Sequence, residues 1–316
     1  MTSYIATPTR SSRLLTPTRL VGAPVTVGFD ESAASVAAVQ WAATEAARFG
    51  SELTVLSACE PPVPTPVDAG MVLPTTELWS VSRAAAGRGV EVARTCNPDG
   101  VIAGLGVVGG PAGELVARSS ETGLVVVGRN RRSALQAAVL GSVSFAVAMH
   151  ARCPVVVVGE GAERHPGLSW PVVVGIDGSR PALAAVSLAV DFARRWQAPL
   201  EIVSAWRAPQ VALLPDPPEA GAVITSSEQP WVAAADAAVE EAIAQVRAAD
   251  PDLTVTGVVM EGRADDVLVG ESRRAGLVVI GSRGHGGFAG LMMGSVSHGV
   301  MRRASSPVAV VRRGSV

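Results

Sequence analysis

Four residues between positions 281 and 295 have the types and the spacing of a phosphate-binding loop. They are Gly281, Gly284, Gly294 and Ser295, in the stretch GSRGHGGFAGLMMGSVS, which follows the apolar run LVVI. Glycine lets backbone N–H groups approach an anion with no side chain between them. A helix that begins at the end of this loop adds unpaired N–H groups and a partial positive charge. A glycine loop alone equally fits an ordinary turn, so further groups are needed before it indicates a site.

Those groups lie after another apolar run and inside the loop itself. Asp177 follows the run VVVGI, and its carboxylate can accept hydrogen bonds from a ribose or an adenine amine. Ser295 and Ser297 can donate hydroxyl hydrogen bonds, and Ser295 can also cap a helix. His285 either contacts a phosphate or lies exposed in the loop. The combination predicts a nucleotide, with the adenine near Asp177 and the phosphates over the glycine loop.

The same groups occur twice because the chain contains an internal repeat. The segment that begins at Val25 aligns without a gap with the segment that begins at Val172, so Asp30 matches Asp177 and Ala58 matches Ala205. Later, GSVS at 141–144 recurs at 294–297. The repeat predicts a flexible N-terminal arm (1–22), a first domain (23–158), a linker (159–170) and a second domain (171–316). We call the two domains copy one and copy two.

Apolar runs and helical patterns alternate within each copy, which predicts an α/β fold. In copy two we expect strands at 172–176, 200–205, 253–260, 277–281 and 308–311, with helices at 180–196, 231–248, 264–274 and 295–303. Right-handed crossovers then give a mainly parallel five-stranded sheet with helices on both faces. Ligands of such sheets bind beyond the carboxyl ends of the strands. Both Asp177 and the glycine loop fall at that edge.

Composition excludes several classes of function. Net charge is −2, which gives no electrostatic case for nucleic acid or an anionic membrane as a partner. All 26 basic residues are arginines, so neither a Walker lysine nor a Schiff base is available. The three cysteines and four histidines form no metal-binding pattern. No apolar run reaches membrane-spanning length, and we expect a cytoplasmic protein.

These motifs resemble the universal stress protein family, in its tandem-domain, nucleotide-binding branch. The family signature is Gly, two residues, Gly, nine residues, Gly, then Ser or Thr, and copy two fits it in full. The resemblance implies two flavodoxin-like (Rossmann-like) domains that bind ATP or another adenine nucleotide, with Mg on the phosphates. It places Asp177 at the adenosine, Ala205 at the adenine and Gly262 beside the ribose and phosphates. The remaining candidates in copy two are Gly178, Ser179, Gly281, Arg283, Gly284, His285, Gly294, Ser295, Val296 and Ser297.

Copy one departs from the signature, so we expect it to bind nucleotide more weakly or with altered geometry. Arg131 replaces the second glycine, and Glu31 replaces the glycine beside the aspartate. Three alternatives stay open for Arg129, Arg131 and Arg132: they meet phosphates, form a solvated basic loop or fold over an empty cleft. The candidates that remain in copy one are Asp30, Ala58, Gly128, Gly141, Ser142, Val143 and Ser144.

The expected function is a stress-response switch that acts through ATP occupancy with little or no catalysis. The resemblance implies pairing of the domains through their last strands (154–158 and 307–311), which would make one chain a pseudo-symmetric pair of domains. We further expect a homodimer through the last strands or helices and an unknown regulatory protein partner. Two alternatives stay open: a slow ATPase or nucleotidyl-transfer enzyme, and a flavin or electron-transfer module. Trp79 and Trp231 occupy matching places in the repeat, which favours a structural plug over use at an interface.

Overall fold

The computed structural model describes residues 20–61, 75–129, 141–207, 229–284 and 293–312. Predictions on residues 1–19, on Arg131 and Arg132, and on His285 lie outside the described residues. Within them, each copy alternates strands and helices as expected. Copy one contains β1 (Val25–Gly28), α1 (Ala33–Phe49), β2 (Leu53–Cys59), α2 (Thr75–Cys96), β3 (Ile102–Val108), α3 (Pro111–Arg118), β4 (Leu124–Arg129), α4 (Ser142–His150) and β5 (Val155–Gly159).

Copy two repeats this order, and most of its element boundaries match the prediction within three residues. It contains β6 (Val172–Ile176), α5 (Arg180–Trp196), β7 (Leu200–Trp206), α6 (Gln229–Ala249), β8 (Val255–Glu261), α7 (Ala264–Glu271), β9 (Leu277–Gly281), α8 (Ser295–Arg303) and β10 (Val308–Val311). The prediction placed the end of α7 three residues too late. The helix ends at Glu271 rather than at Arg274, and Ser272 is its C-cap.

The ten strands form one continuous sheet in the order β3-β2-β1-β4-β5-β10-β9-β6-β7-β8. The pairs within each copy are parallel, whereas β5 and β10 pair antiparallel with Val156 opposite Ala309. In each copy the strand order reverses next to the first strand, between β1 and β4 and between β6 and β9. An open parallel sheet binds ligands at this kind of reversal point.

Side chains of the central strands are buried on both faces of the sheet. Val126 packs into a core with α1 and α5, while Val125 and Val127 pack into a second core with α4 and α8. This arrangement explains the nearly continuous apolar runs, because strands covered on both faces need no polar alternation.

Each first helix begins at a serine cap directly after the aspartate of its copy. The Ser32 hydroxyl accepts a hydrogen bond from the Ser35 N–H, and the Ser179 hydroxyl accepts one from the Ala182 N–H. The serine caps satisfy N–H groups that a helix start leaves unpaired. They also fix the turn that presents Asp30 and Asp177 at the sheet edge.

A buried polar cluster joins the two copies on the α1 and α5 side. The Glu45 carboxylate is fully buried, and it lies 2.8 Å from Nδ1 of His165 and accepts a hydrogen bond from Nε1 of Trp196 at 3.0 Å. The His165 ring stacks between Trp41 and Trp196. His165 belongs to the predicted linker, so this segment packs against the interface between the copies.

Three expectations need correction. The N-terminal arm was expected to reach residue 22, but Leu20 is buried in the core and the Gly22 N–H donates to the Phe49 carbonyl. Trp79 and Trp231 are 43% and 48% exposed, so neither is a structural plug.

The third correction concerns one route expected for a homodimer. The last strands pair within one chain, as the resemblance implied, and both edges of β5 and of β10 are occupied. The last helices also meet inside the chain, where Phe145 and His298 form an edge-to-face contact with ring centroids 5.3 Å apart. A homodimer through the last strands therefore has no free strand edge to use.

Candidate functional site

Cleft two is a cavity of about 410 Å³ at the carboxyl ends of β6, β7 and β9, where the strand order of copy two reverses. Its floor is apolar, and its rim carries Asp177, Arg283 and the start of α8. Nine of the predicted residues line it: Asp177, Ala205, Gly281, Arg283, Gly284, Gly294, Ser295, Val296 and Ser297. Sequence reasoning missed several apolar lining residues, among them Ala264, Leu268 and Met293.

Gly284 and Asp177 lie in direct contact across the mouth of cleft two. A Cβ atom on Gly284 would lie 2.2 Å from Oδ2 of Asp177, closer than any real contact. The Ser179 N–H donates to Oδ1 of the same carboxylate at 3.0 Å, which fixes its orientation. The second glycine of the signature therefore leaves room for the aspartate that the sequence placed at the adenosine.

Gly178 and Ser179 do not line the cavity but shape the turn that carries Asp177. Gly178 has φ +76°, a left-handed conformation that glycine adopts without steric cost. In copy one the equivalent residue is Glu31, which has φ +64° and forms a 2.6 Å ion pair with Arg88. This ion pair, through its hydrogen bond with Arg88, lowers the pKa of the Glu31 carboxyl below its usual value.

The start of α8 presents backbone N–H groups to cleft two without a side-chain cap. The N-cap residue is Gly294, not Ser295 as the sequence suggested, and it makes no side-chain capping bond. Unpaired N–H groups at a helix N-terminus favour an anion. Ser297 lines the cavity, but its hydroxyl donates to the Gly281 carbonyl at 2.8 Å. The hydroxyl proton of Ser297 therefore joins the end of β9 to α8. We do not expect this hydroxyl to donate to a phosphate as well.

Gly262 lies on the loop after β8 but is not among the residues that line cleft two. Its φ of +143° requires glycine, and its N–H donates to the Trp206 carbonyl at 2.9 Å. Next to it, Arg263 and Arg303 both contact Asp265, at 3.2 and 2.8 Å. Burial alone would raise the pKa of Asp265, but the two guanidinium groups hold that pKa below its ordinary value. Asp265 is therefore an ionised partner of arginine.

Copy one contains an equivalent cavity, cleft one, of about 350 Å³. All seven candidates predicted there line it: Asp30, Ala58, Gly128, Gly141, Ser142, Val143 and Ser144. The Ser144 hydroxyl donates to the Gly128 carbonyl at 2.7 Å, as Ser297 does in copy two. Copy one therefore has the cavity although its signature is incomplete.

Arg129 is not a phosphate ligand of cleft one. Its side chain is buried, and its two terminal nitrogens donate at 2.8 Å to the carbonyls of Met301 and Ala304. These carbonyls close the C-terminal end of α8 in copy two. None of the three alternatives left open for this arginine holds, because it joins the two copies instead.

In the part of the chain that the structure describes, no three His, Cys, Asp or Glu side chains cluster closely enough to hold a metal ion. No helix in the same ranges has the length and apolarity needed to cross a bilayer.

Comparison with known proteins agrees with this architecture. The family model described as "Universal stress protein family" matches residues 23–159 and 171–312. A universal stress protein of Mycobacterium tuberculosis H37Rv, Rv2005c, is 34% identical over 299 residues, which cover 92% of this chain and 97% of the relative. One from Mycolicibacterium smegmatis is 34% identical over 296 residues, covering 91% and 96%.

Solved structures show the same fold. A universal stress protein of Archaeoglobus fulgidus DSM 4304 superposes with a TM-score of 0.66 at 18% identity, over 92% of this chain and 98% of that one. The matched family segments take in both copies of the repeat together with both clefts. The chain belongs to the universal stress protein family.

Proposed function

We propose that this stress-response protein binds an adenine nucleotide, with ATP as the first candidate, in cleft two. The observation that carries the proposal is the fit of Gly284 against Asp177 beside the uncapped start of α8. One side of the cleft offers a carboxylate for the ribose or adenine amine, and the other offers N–H groups for phosphate. The apolar floor between them suits a purine ring.

We propose that occupancy, rather than turnover, is the signal. Both ends of the loop that leaves β9 meet at Ser282, whose N–H donates to the Val311 carbonyl and whose carbonyl accepts from the Gly294 N–H. A ligand on this loop therefore acts on β10 and α8 together, and these two elements lie at the junction of the copies. The switch would be complete with a regulatory partner that distinguishes the nucleotide-bound protein from the empty one.

Little or no catalysis is expected from the groups around cleft two. Phosphoryl transfer needs a positioned water and compensation of the charge in the transition state. Asp265 and Asp266 are already paired with Arg303, at 2.8 and 2.6 Å, so neither is poised as a base. Phosphate release from ATP should stay near background. Steady release that is lost in Asp177→Ala would instead support a slow ATPase.

Titration with ATP tests the binding proposal most simply. In Gly284→Ala the new Cβ displaces the Asp177 carboxylate, so affinity should fall at least tenfold while stability changes little. The matched control is Gly270→Ala on α7, where a Cβ would meet no atom within 4 Å. Wild-type affinity in Gly284→Ala, or equal losses in both variants, would contradict the proposal.

A further inference from the structure

Helix α8 borders cleft two with its first turn and contacts copy one with its last. Gly294 and Ser295 line cleft two at the start of the helix. At the other end, the carbonyls of Met301 and Ala304 accept hydrogen bonds at 2.8 Å from the buried side chain of Arg129. The nine residues of α8 span about 13 Å, so both ends belong to one short helix. A shift at the copy-one end would therefore displace the N–H groups that face cleft two.

Removing the Arg129 side chain would take two donors away from the last turn of α8. The two residues that supply the carbonyls are buried, and a buried carbonyl that loses its donor is costly. The Ser297 hydroxyl would still donate to the Gly281 carbonyl at 2.8 Å. Arg303 would still pair with Asp265 at 2.8 Å. The helix should therefore persist, with a last turn that no longer has one fixed position.

Arg129 also lies one residue away from cleft one. Gly128 lines that cavity, and its carbonyl accepts a hydrogen bond from the Ser144 hydroxyl at 2.7 Å. The backbone of Arg129 pairs with Gly159 of β5, where a Cβ would lie 2.3 Å from a guanidinium nitrogen. The end of β4 at cleft one thus determines where the guanidinium meets α8.

The repeat does not carry this contact in both directions. The positions of Arg129 and Gly159 correspond in copy two to Ser282 and Arg312. The strand end at cleft two therefore carries a serine where the strand end at cleft one carries an arginine. Arg312 follows the last strand instead, and it donates to the Ala151 carbonyl after α4 at 3.1 Å. A guanidinium thus links the strand end at cleft one to the helix of cleft two, whereas the reverse link starts from a different strand.

We propose that Arg129 is a positioning residue for the phosphate end of cleft two, so that copy one sets the nucleotide affinity of copy two. The inference rests on the proposed function, because it assumes an adenine nucleotide with its phosphates at the start of α8. Arg129 holds the helix where its first N–H groups face the cleft. If fewer chains have α8 in this position, the apparent affinity falls in proportion. A cation at the C-terminus and an anion at the N-terminus also complement the same helix dipole.

Titration of full-length variants with ATP tests the proposal. Binding is assigned to cleft two when Gly284→Arg removes it. At this site, Arg129→Met should bind ATP at least fivefold more weakly than the wild type. Arg129→Lys keeps the charge and one donor, so its affinity should return to within threefold of the wild type. Unchanged affinity in Arg129→Met, or no recovery in Arg129→Lys, would overturn the proposal.

Two comparison variants separate positioning from a general loss of stability. Trp196→Phe removes a donor to the buried Glu45 carboxylate on the α5 side, far along the chain from α8. Arg312→Met removes the guanidinium at the end of α4. Both should keep ATP affinity at cleft two within twofold of the wild type while they remain folded. A fivefold loss in either variant would overturn the proposal.

Hydrogen exchange of the wild type gives an arm that needs no change at Arg129. ATP should slow exchange at the last turn of α8 as well as at the first, and Gly284→Arg should show neither effect. Slowing that is confined to the first turn would overturn the proposal.

The two proposals fail in different ways. If the wild type binds ATP at cleft two and Arg129→Met binds it equally well, the positioning inference is wrong and the proposed function stands. If the wild type binds no ATP, the proposed function itself is wrong.

Discussion

At the scale of single residues, the repeat shows two backbone positions with the same left-handed conformation and different side chains. The C-cap residue of α1 is Gly50, with φ +65°, and the C-cap residue of α5 is the equivalent Gln197, with φ +51°. A residue with a Cβ is disfavoured here by about 1–2 kcal/mol, whereas glycine is not. Copy one therefore already carries the residue that suits this turn.

Gln197→Gly should raise the free energy of unfolding by about 0.5–1 kcal/mol, since the relieved strain exceeds the added entropy of the unfolded chain. Gly50→Gln should lower it by a similar amount. Urea denaturation of both variants measures the two changes. The account of this turn is wrong if Gln197→Gly destabilises the protein.

The buried thiol of Cys153 gives a pH dependence. Burial raises the pKa of Cys153 from 9.0 to about 12. The thiol of the unfolded chain ionises first as pH rises, so the stabilisation is complete below pH 9 and is lost between 9 and 12. From pH 8 to pH 10, this thiol should remove about 1 kcal/mol of stability.

Denaturation at both pH values, in wild type and in Cys153→Ala, isolates that contribution. The drop on raising the pH should be about 1 kcal/mol smaller in the variant. Cys96 is exposed and serves as the control, because Cys96→Ala should leave the drop unchanged. Equal drops in wild type and Cys153→Ala would contradict the assignment.

The sequence predicted much of cleft two at this scale, because motif spacing identifies residues that recur at a sheet edge. It named Gly284 and Asp177, but it did not show that they touch, since contact between two loops depends on the register of β6 against β9. It assigned the wrong N-cap to α8, and none of the roles it left open for Arg129 was the contact with the carbonyls that end α8. Neither a hydrogen-bond partner nor a buried cation can be read from spacing alone.

At the scale of elements, α4 and α8 connect the clefts. Each begins at one cleft, and each ends at a guanidinium group from the other copy. Arg129 donates to the Met301 and Ala304 carbonyls of α8, and Arg312 donates to the Ala151 carbonyl after α4. A cation at a helix C-terminus also complements the helix dipole. Gly159 makes room for Arg129, because a Cβ there would lie 2.3 Å from its nitrogen.

Arg129→Met should lower the free energy of unfolding by roughly 2–3 kcal/mol, because two buried carbonyls lose a charged donor. Arg312→Met is the comparison variant, and the loss of its 3.1 Å hydrogen bond to the Ala151 carbonyl should cost about 1 kcal/mol. Chemical denaturation gives both values, and hydrogen exchange of the α8 amides should quicken in Arg129→Met alone. Similar small losses in the free energy of unfolding in both variants would show that Arg129 does not stabilise the end of α8 in this way.

At the scale of the whole molecule, the last strands of the two copies pair within the chain, as the family resemblance implied. The antiparallel joint of β5 and β10 unites two parallel five-stranded sheets, and core residues from both copies merge on each face. The repeat and its alternating pattern predicted both domains, whereas the strands that join them were implied by the family resemblance. The pattern alone could not show whether that joint forms within a chain or between chains, since either gives the same local pairing.

Both edges of β5 and of β10 are occupied within the chain. We therefore expect a single chain in solution. Light scattering after size exclusion should give a mass near 32.2 kDa. Ala309→Pro, at the centre of β10, should destabilise the joint strongly because it removes a ladder donor. A stable dimer of the wild type would mean that another surface mediates association.

The central claim is that cleft two holds an adenine nucleotide, and the most direct test is the nucleotide content of the purified protein. The chain is denatured, and what it releases is identified and counted for wild type and for Gly284→Arg. We predict close to one adenine nucleotide per wild-type chain and almost none from the variant, with both proteins folded. No released nucleotide from the wild type, together with no uptake of added ATP, would contradict the account.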